Sequence, residues 1–416
     1  MPPEIKQRIE QIRRGEVPEG YKKTKAGVVP VEWEDTLFSD LFIGTSEYTD
    51  DLGKYPLYSL TIEEGITAKT ERYERSHLVK KENAYKIVRP NDFAYNPMNV
   101  RLGAVARHKG DIEVAVSGYY DIFTTRADSD LEFMDSFLIS HHMITYYNKV
   151  SIGSLVEKQR VHFSQFMDFK LPLPSETERN KIAKVLAAQD KVVALKEKLL
   201  QEKTSQKKFL LQELISGKKR IKGFNEQWSN IQLKRYLHEH SVRNSDGTVT
   251  NVLSISNRYG FVNQSEQFGK RVASDDISAY KLVTRNCIAY NPSRINVGSI
   301  ALYKENCPGI ISPMYVVFKT GTDLLPEYLI ELTKTHHFYQ KMKNLLSGSV
   351  RDSLKFSDLC HISLKIPSTM EQKAILKIVS EAEKEILLLQ QDLDQEKQKK
   401  KALMQLLLTG IVRVNV

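Results

Sequence analysis

Two kinds of hydrophobic patterning alternate along this chain, and each occurs twice. Over roughly 21–174 and 218–367, short runs such as IAYN, YVVF and GAVA stand among glycines, prolines and aromatic residues. Runs of that length predict strands joined by turns, with a few helical stretches between them. Over 175–217 and 368–410 the pattern changes: there is neither proline nor internal glycine, and Lys, Glu, Gln and Leu dominate. Each of these stretches predicts one long helix.

The helix ends are written twice as well. Ser175 with Glu178 and Ser368 with Glu371 both form S-x-x-E just after a proline. In that pattern a serine hydroxyl and a glutamate carboxylate satisfy the first free N–H groups of a helix. Gly217 and Gly410 follow the last apolar residues, where a left-handed cap is wanted. A helix of this length spans about 60 Å at ~1.5 Å per residue, more than one small domain covers.

Stepping alternately four and three places from Ile182 meets Leu186, Gln189, Val193, Lys196, Leu200, Lys203, Lys207, Leu210 and Leu214. The same frame from Ile375 meets Val379, Ala382, Ile386, Leu389, Leu393, Glu396, Lys400, Leu403 and Leu407. This is a heptad seam in matching register, weakened where Lys203, Lys207, Glu396 and Lys400 replace leucine. Each seam predicts the other as its partner; the alternative is that each helix packs only on its own domain. Two copies of one sequence pairing through equivalent faces are related by a twofold axis. The helices are then antiparallel, with a globular domain at either end.

The echo runs through nearly the whole chain. Trp33 and Trp228, Gly65 and Gly260, Lys86 and Lys281, and Tyr95 and Tyr290 are each 195 places apart. Phe163 and Phe356, Pro174 and Pro367, and Gly217 and Gly410 are 193 apart, so a net two-residue indel separates the copies. A period this long marks a duplicated domain pair, since solenoid units run to about 50 residues at most. The expected fold is α/β (α+β): an N-terminal helical segment at 1–20, globular domains at 21–174 and 218–367, and long helices at 175–217 and 368–416.

Composition adds a direction. The chain has 416 residues, 61 Lys plus Arg against 51 Asp plus Glu, and a formal charge of +10. A basic balance favours a polyanionic partner, with nucleic acid in the lead. Cys287, Cys307 and Cys360 form neither a disulfide framework nor a zinc spacing. The charged N-terminus lacks the apolar core of a signal peptide and no run is long enough to span a membrane, so a cytoplasmic protein is expected. There is no phosphate-binding G-x-x-x-x-G-K-[ST] loop. Adenine methyltransferases hold a flipped base with an N-P-P-aromatic loop, but here Met98 and Ser293 stand where the second proline belongs. The doublets His141-His142 and His336-His337 are expected to be packing or DNA-proximal residues, because adjacent histidines seldom face one ion. Tyr95 and Tyr290 are expected to be scaffold residues.

The doubled Y-N-P phrase with a glycine soon after, the openings LPLPSETERNKIAKVL and LKIPSTMEQKAILKIV, and the endings ELISG and LLLTG together resemble the specificity subunits of type I restriction-modification systems. The resemblance covers nearly the full length, and RIEQIRRG around Gly15 is similar to the helix endings. It lacks the short tandem repeats that some members carry in the central helix. The resemblance implies a non-catalytic subunit whose two target-recognition domains each read half of a bipartite site in double-stranded DNA. It further implies that the helices dock two methyltransferase subunits that methylate adenine at N6, joined in the restriction complex by two motor-nuclease subunits. S-adenosylmethionine, ATP and Mg would be bound by those partners, with no cofactor in this chain.

Within that reading, Arg101 and Arg294 lie just beyond the two Pro turns, where an arginine can pair with guanine, while Asn99 and Asn296 can read adenine. Phosphate contact or a plain surface role is the alternative. Arg160 and Arg351, shortly before each long helix, are candidates for phosphate contact or structural ion pairs. Arg72, Arg258, Lys270 and Arg271 are further loop candidates for DNA. Two other classes compete: a nucleic-acid enzyme with a coiled-coil arm, and a protein-binding organiser whose charge is incidental.

Overall fold

The computed structural model describes residues 2–69, 84–153, 159–257, 259–264, 276–346 and 353–414. The chain divides into two compact units, Met1–Glu197 with Asp392–Val416, and Lys198–Gln391.

In the first unit an antiparallel sheet has the strand order Val105–Arg107, Phe93–Tyr95, Asp121–Thr125, Phe42–Thr45. In the second the order is Ile300–Leu302, Ile288–Tyr290, Val316–Thr320, Leu237–Glu239. Phe123 lies opposite Phe93 in one sheet and Phe318 opposite Ile288 in the other, the same register 195 places on. The register is held because a slip of one residue would turn every core side chain to the other face. The same strand order and register are what a duplication predicts. The core chemistry has diverged within it. Phe38, Phe42, Phe93 and Phe166 of the first core are answered by Leu233, Leu237, Ile288 and Leu359 in the second, all eight buried.

A two-stranded sheet in each unit ties the start of the domain to the strand that feeds a long helix. It pairs Glu34–Leu37 with Lys170–Leu173 in the first unit, and Ser229–Gln232 with Ser363–Ile366 in the second. The helices follow as Glu176–Ile215 and Thr369–Leu407. Every seam position named above, from Ile182 to Leu214 and from Ile375 to Leu407, is buried or half-buried.

In the first unit Gln189 Nε2 donates to Glu396 Oε2 at 2.7 Å, Lys196 pairs with Asp392 at 2.5 Å, and Lys400 pairs with Asp190 at 2.5 Å. Numbers rise along one helix as they fall along the other, so this pairing is antiparallel. The second unit repeats it through Lys203 with Glu385 at 2.7 Å and Lys207 with Glu383 at 2.5 Å. The seam positions that lack leucine are thus joined by charge, while the ends are anchored in apolar cores. Ile182, Leu186 and Leu407 belong to the first core, and Leu214, Ile375 and Val379 to the second.

The capping expectation holds in part. Ser175 Oγ accepts the Glu178 N–H at 3.3 Å. The Glu178 and Glu371 carboxylates do not turn back to cap their helices, because each is taken by an arginine and a tryptophan. Arg413 and Trp33 hold Glu178, and Arg220 and Trp228 hold Glu371. A two-pronged guanidinium is the stronger partner for a buried carboxylate. Gly15, Gly217 and Gly410 all end helical segments with positive φ, at 79°, 73° and 69°. That conformation costs a residue with a Cβ more than it costs glycine.

Candidate nucleic-acid interface

The Y-N-P phrase ends one strand and turns into the next. Val100–Leu102 and Ile295–Val297 are single 3-10 turns, and the next strands start at Val105 and Ile300. Three alternating residues fit a strand or a tight turn equally, and the left-handed glycine after them decides for the turn. Gly103 has φ 102° and Gly298 φ 90°, and their N–H groups donate to the Val100 and Ile295 carbonyls.

Each letter of the phrase has a mechanical part. Tyr95 Oη donates to the Val161 carbonyl at 2.9 Å, and the Pro97 carbonyl accepts the Val161 N–H at 3.0 Å. Tyr290 and Pro292 hold Leu354 in the same two-point clamp, at 3.1 and 3.0 Å. Burial pushes both phenols far above their usual range, so they remain protonated donors. Asn96 Oδ1 accepts the Met98 N–H and Asn291 Oδ1 accepts the Ser293 N–H, both at 3.1 Å, fixing the turn. Both tyrosines are scaffold in this structure.

On this fixed turn the variable residues trade places. The first copy carries Asn99 exposed and Arg101 half-buried; the second carries Arg294 exposed and Asn296 half-buried. The structure brings each pair onto a single turn. Arg160 is half-buried beside the clamped Val161, its backbone paired with Ile152. Arg72, Arg258, Lys270, Arg271 and Arg351 lie outside the described residues.

Sequence reading missed a second device at the same end of each sheet. Tyr95 faces Asp121 and Tyr290 faces Val316, so the turns before Asp121 and Val316, which join strands of two different sheets, emerge beside the Pro turns. Buried Lys86 donates from Nζ to the Tyr120 carbonyl at 2.8 Å, and Lys281 donates likewise to Tyr315 at 2.7 Å. These bonds hold tips that expose Tyr119 and Met314, 48% and 62% accessible. The repeated AYK was the available signal. On its own it reads as an echo, because nothing local ties it to the turn it holds.

Of the two histidine doublets only His142 is packed, half-buried beside Phe137, while His141, His336 and His337 are exposed. Burial, then the neighbouring His141, lowers the His142 pKa to about 4. Among the described residues no cluster of three His, Cys, Asp or Glu side chains is placed to hold a metal ion, and no helix is long and apolar enough to cross a membrane.

Residues 241–397 match the family model for the type I restriction modification DNA specificity domain. A Methanocaldococcus jannaschii protein, provisionally named the type I restriction enzyme MjaX specificity subunit, is 22% identical over 95% of this chain and 97% of its own length. Among solved structures, a chain from work on complex assembly and conformational transition of the type I R-M system aligns with a TM-score of 0.56 and 14% identity. It covers 92% of this chain and 99% of that one. The HsdS subunit of Thermoanaerobacter tengcongensis aligns at 0.50 and 13% identity, covering 95% and 98%. At such identities the two structures speak for the fold, while the family model and the full-length relative speak for descent. Over nearly its whole length the chain is similar to a type I restriction enzyme specificity subunit, and its residues 241–397 match the DNA specificity domain of type I restriction-modification systems.

Proposed function

We propose that each unit reads one half of a bipartite, asymmetric DNA site, using the face formed by its Pro turn and the tip of the neighbouring turn. The observation that carries this reading is the exchange of Asn99 and Arg101 for Arg294 and Asn296 on one conserved backbone turn. A scaffold held constant while the hydrogen-bonding groups on it are permuted is what two different half-sites require. Asparagine suits adenine and arginine suits guanine in the major groove. Tyr119 and Met314 would add apolar contact beside them.

The long helices are the proposed dock for two methyltransferase subunits. Val185, Val192 and Leu199 recur every seventh residue outside the seam and are 39%, 37% and 39% accessible. A stripe of that kind on a helix whose seam is already filled suits a helical or sheet partner. The partners would bind S-adenosylmethionine and methylate adenine at N6, and two motor-nuclease subunits using ATP and Mg would complete the restriction complex in the cytoplasm. The test is to map methylated adenine across the host genome with and without this gene. A bipartite motif that vanishes on deletion supports the reading. An unchanged pattern in a host that expresses all the subunits refutes it.

A further inference from the structure

The two histidine doublets occupy equivalent places, yet their surroundings differ. In the first unit a hairpin formed by Tyr21–Thr24 and Gly27–Pro30 runs from the end of the C-terminal helix to the doublet. The Tyr21 hydroxyl donates to the Gly410 carbonyl at 2.8 Å, and Lys149 Nζ donates to the Lys25 carbonyl at 3.1 Å. A Cβ on Gly27 would lie 3.5 Å from the His142 ring, and Ala26 packs against the core. The hairpin closes the space between the helix end and the histidines.

In the second unit the corresponding connection, 218–227, contains no strand, and the corresponding space is open. It is a cleft of about 570 Å³ between the end of the helix Glu176–Ile215, the start of the helix His336–Leu346 and the strand Ser363–Ile366. Ile215, Leu332 and Leu364 give it apolar wall, while Lys218, Lys341 and Lys365 supply positive charge against one carboxylate, Glu213. The first unit has Ile411, Tyr146 and Pro172 at the places of those three lysines, and its hairpin brings Lys22, Lys23 and Lys25 instead. In the first copy the positive charge belongs to the occupant; in the second it belongs to the wall.

We propose that this cleft is the docking site for an acidic, extended segment of another protein subunit of the restriction-modification assembly. That segment takes the place the first unit fills from its own chain. Charge selects an acidic guest, because the lysines of the wall have nothing to complement a second basic hairpin. The backbone selects an extended one. Consecutive residues Ser363, Leu364 and Lys365 line the cleft, and their strand has a single neighbour, Ser229–Gln232, among the described residues. A free strand edge accepts an added strand through main-chain hydrogen bonds. The apolar wall favours a peptide over a DNA duplex, whose backbone would meet the rim lysines alone.

The inference rests on the reading that this chain works inside such an assembly, so the experiment separates the two. A photo-crosslinking amino acid, p-benzoylphenylalanine, is introduced at Gln340 in the full-length chain, which is purified with its methyltransferase and motor-nuclease subunits. The expected result is a cross-link to an Asp- and Glu-rich stretch of one subunit, reduced about tenfold by Lys218→Glu with Lys365→Glu. Both lysines are exposed, and an unchanged thermal transition verifies that the double variant is folded. An assembly of full mass in which Gln340 cross-links to nothing, to DNA, or to a segment without acidic residues overturns the docking site and leaves the DNA-reading role intact. Failure of the chain to assemble with those subunits at all overturns both.

Discussion

Arg413 Nε lies 2.6 Å from Glu178 Oε1, joining residues 235 apart in the chain. Arg413 Nη2 meets the other carboxylate oxygen at 2.9 Å and Trp33 Nε1 donates to it at 3.3 Å. The Glu178 side chain is only 2% accessible, so its charge depends on these partners. In the second unit Arg220 holds Glu371 at 2.8 and 2.9 Å, with Trp228 at 2.9 Å. Each arginine stands three residues beyond the glycine that ends a long helix. Arg413→Ala should therefore destabilise the first unit by about 3–5 kcal/mol, the usual cost of leaving a buried charge unpaired. The chain has two tryptophans, one at each junction. In a Trp228→Phe background, denaturant unfolding followed by Trp33 fluorescence reads the first unit alone. A loss below about 1 kcal/mol would mean that water reaches Glu178.

The tyrosine clamp makes a smaller and more local prediction. Tyr95→Phe removes one donor from the Val161 carbonyl without changing the packed ring. The expected cost is about 1 kcal/mol, plus whatever the carbonyl loses by staying buried. Tyr290→Phe should match it in the second unit through Leu354. Two variants with equal cost would show that the duplication preserved an energy as well as a contact. A marked loss of DNA binding with unchanged stability would instead make these tyrosines contact residues.

The helices and their pairing face were legible because a heptad pattern is local and redundant. Losing leucine at Lys203 or Lys207 leaves enough of the frame to find. The duplication was legible because Trp33, Gly65 and Tyr95 recur at one offset. The contact of Arg413 with Glu178 was hidden for the opposite reason: no local pattern announces a partner 235 residues away, although the arginine three places after both glycines belongs to the same repeat. The Y-N-P phrase is a turn that feeds a strand, and the left-handed Gly103 and Gly298 that close it are marked in the sequence by glycine itself. Base contacts stayed out of reach because the groups proposed to make them, such as Asn99 and Arg294, stand where the two copies disagree and no repeat marks them.

His142 gives the first unit a pH dependence. Its pKa is lowered to about 4 by burial and then by His141, against about 6.5 for an unfolded histidine. Between those values the unfolded chain binds the extra proton, so stability is fully present above about pH 6.5 and is lost as pH falls towards 4. The ceiling is about 3 kcal/mol, and partial exposure lowers it. His142→Gln should flatten this part of the pH–stability curve. A curve of unchanged slope would show that other groups carry the acid sensitivity.

In the helix pair, the ion pairs and the apolar ends should differ sharply in worth. Lys207→Glu sets two like charges at Glu383, and the pair it replaces is partly solvent-exposed. Such a change should cost under about 1 kcal/mol and be restored by Glu383→Lys. Leu186→Ala removes a fully buried side chain from the first core and should cost about 2–5 kcal/mol. Denaturation of the single and double variants measures both. If the charge reversal cost as much as the cavity, the seam would be held together by its charges.

The exchange of Asn99 and Arg101 for Arg294 and Asn296 offers the sharpest test of recognition. Arg294→Ala should weaken binding by about 1–3 kcal/mol and relax the sequence requirement of one half-site only. A pure phosphate contact would behave differently: binding to every sequence would fall together and the salt slope would decrease by about 1. The swap Asn99→Arg with Arg101→Asn goes further, because it writes the second unit's order of groups onto the first unit's turn. The backbone is set by Asn96, Pro97 and Gly103, none of which changes, so the fold should tolerate it. Selection of bound sequences from a randomised duplex, at one fixed salt concentration, should then show a new base preference in the first half-site and the old one in the second. A variant that binds as before at both would place base reading elsewhere on the unit.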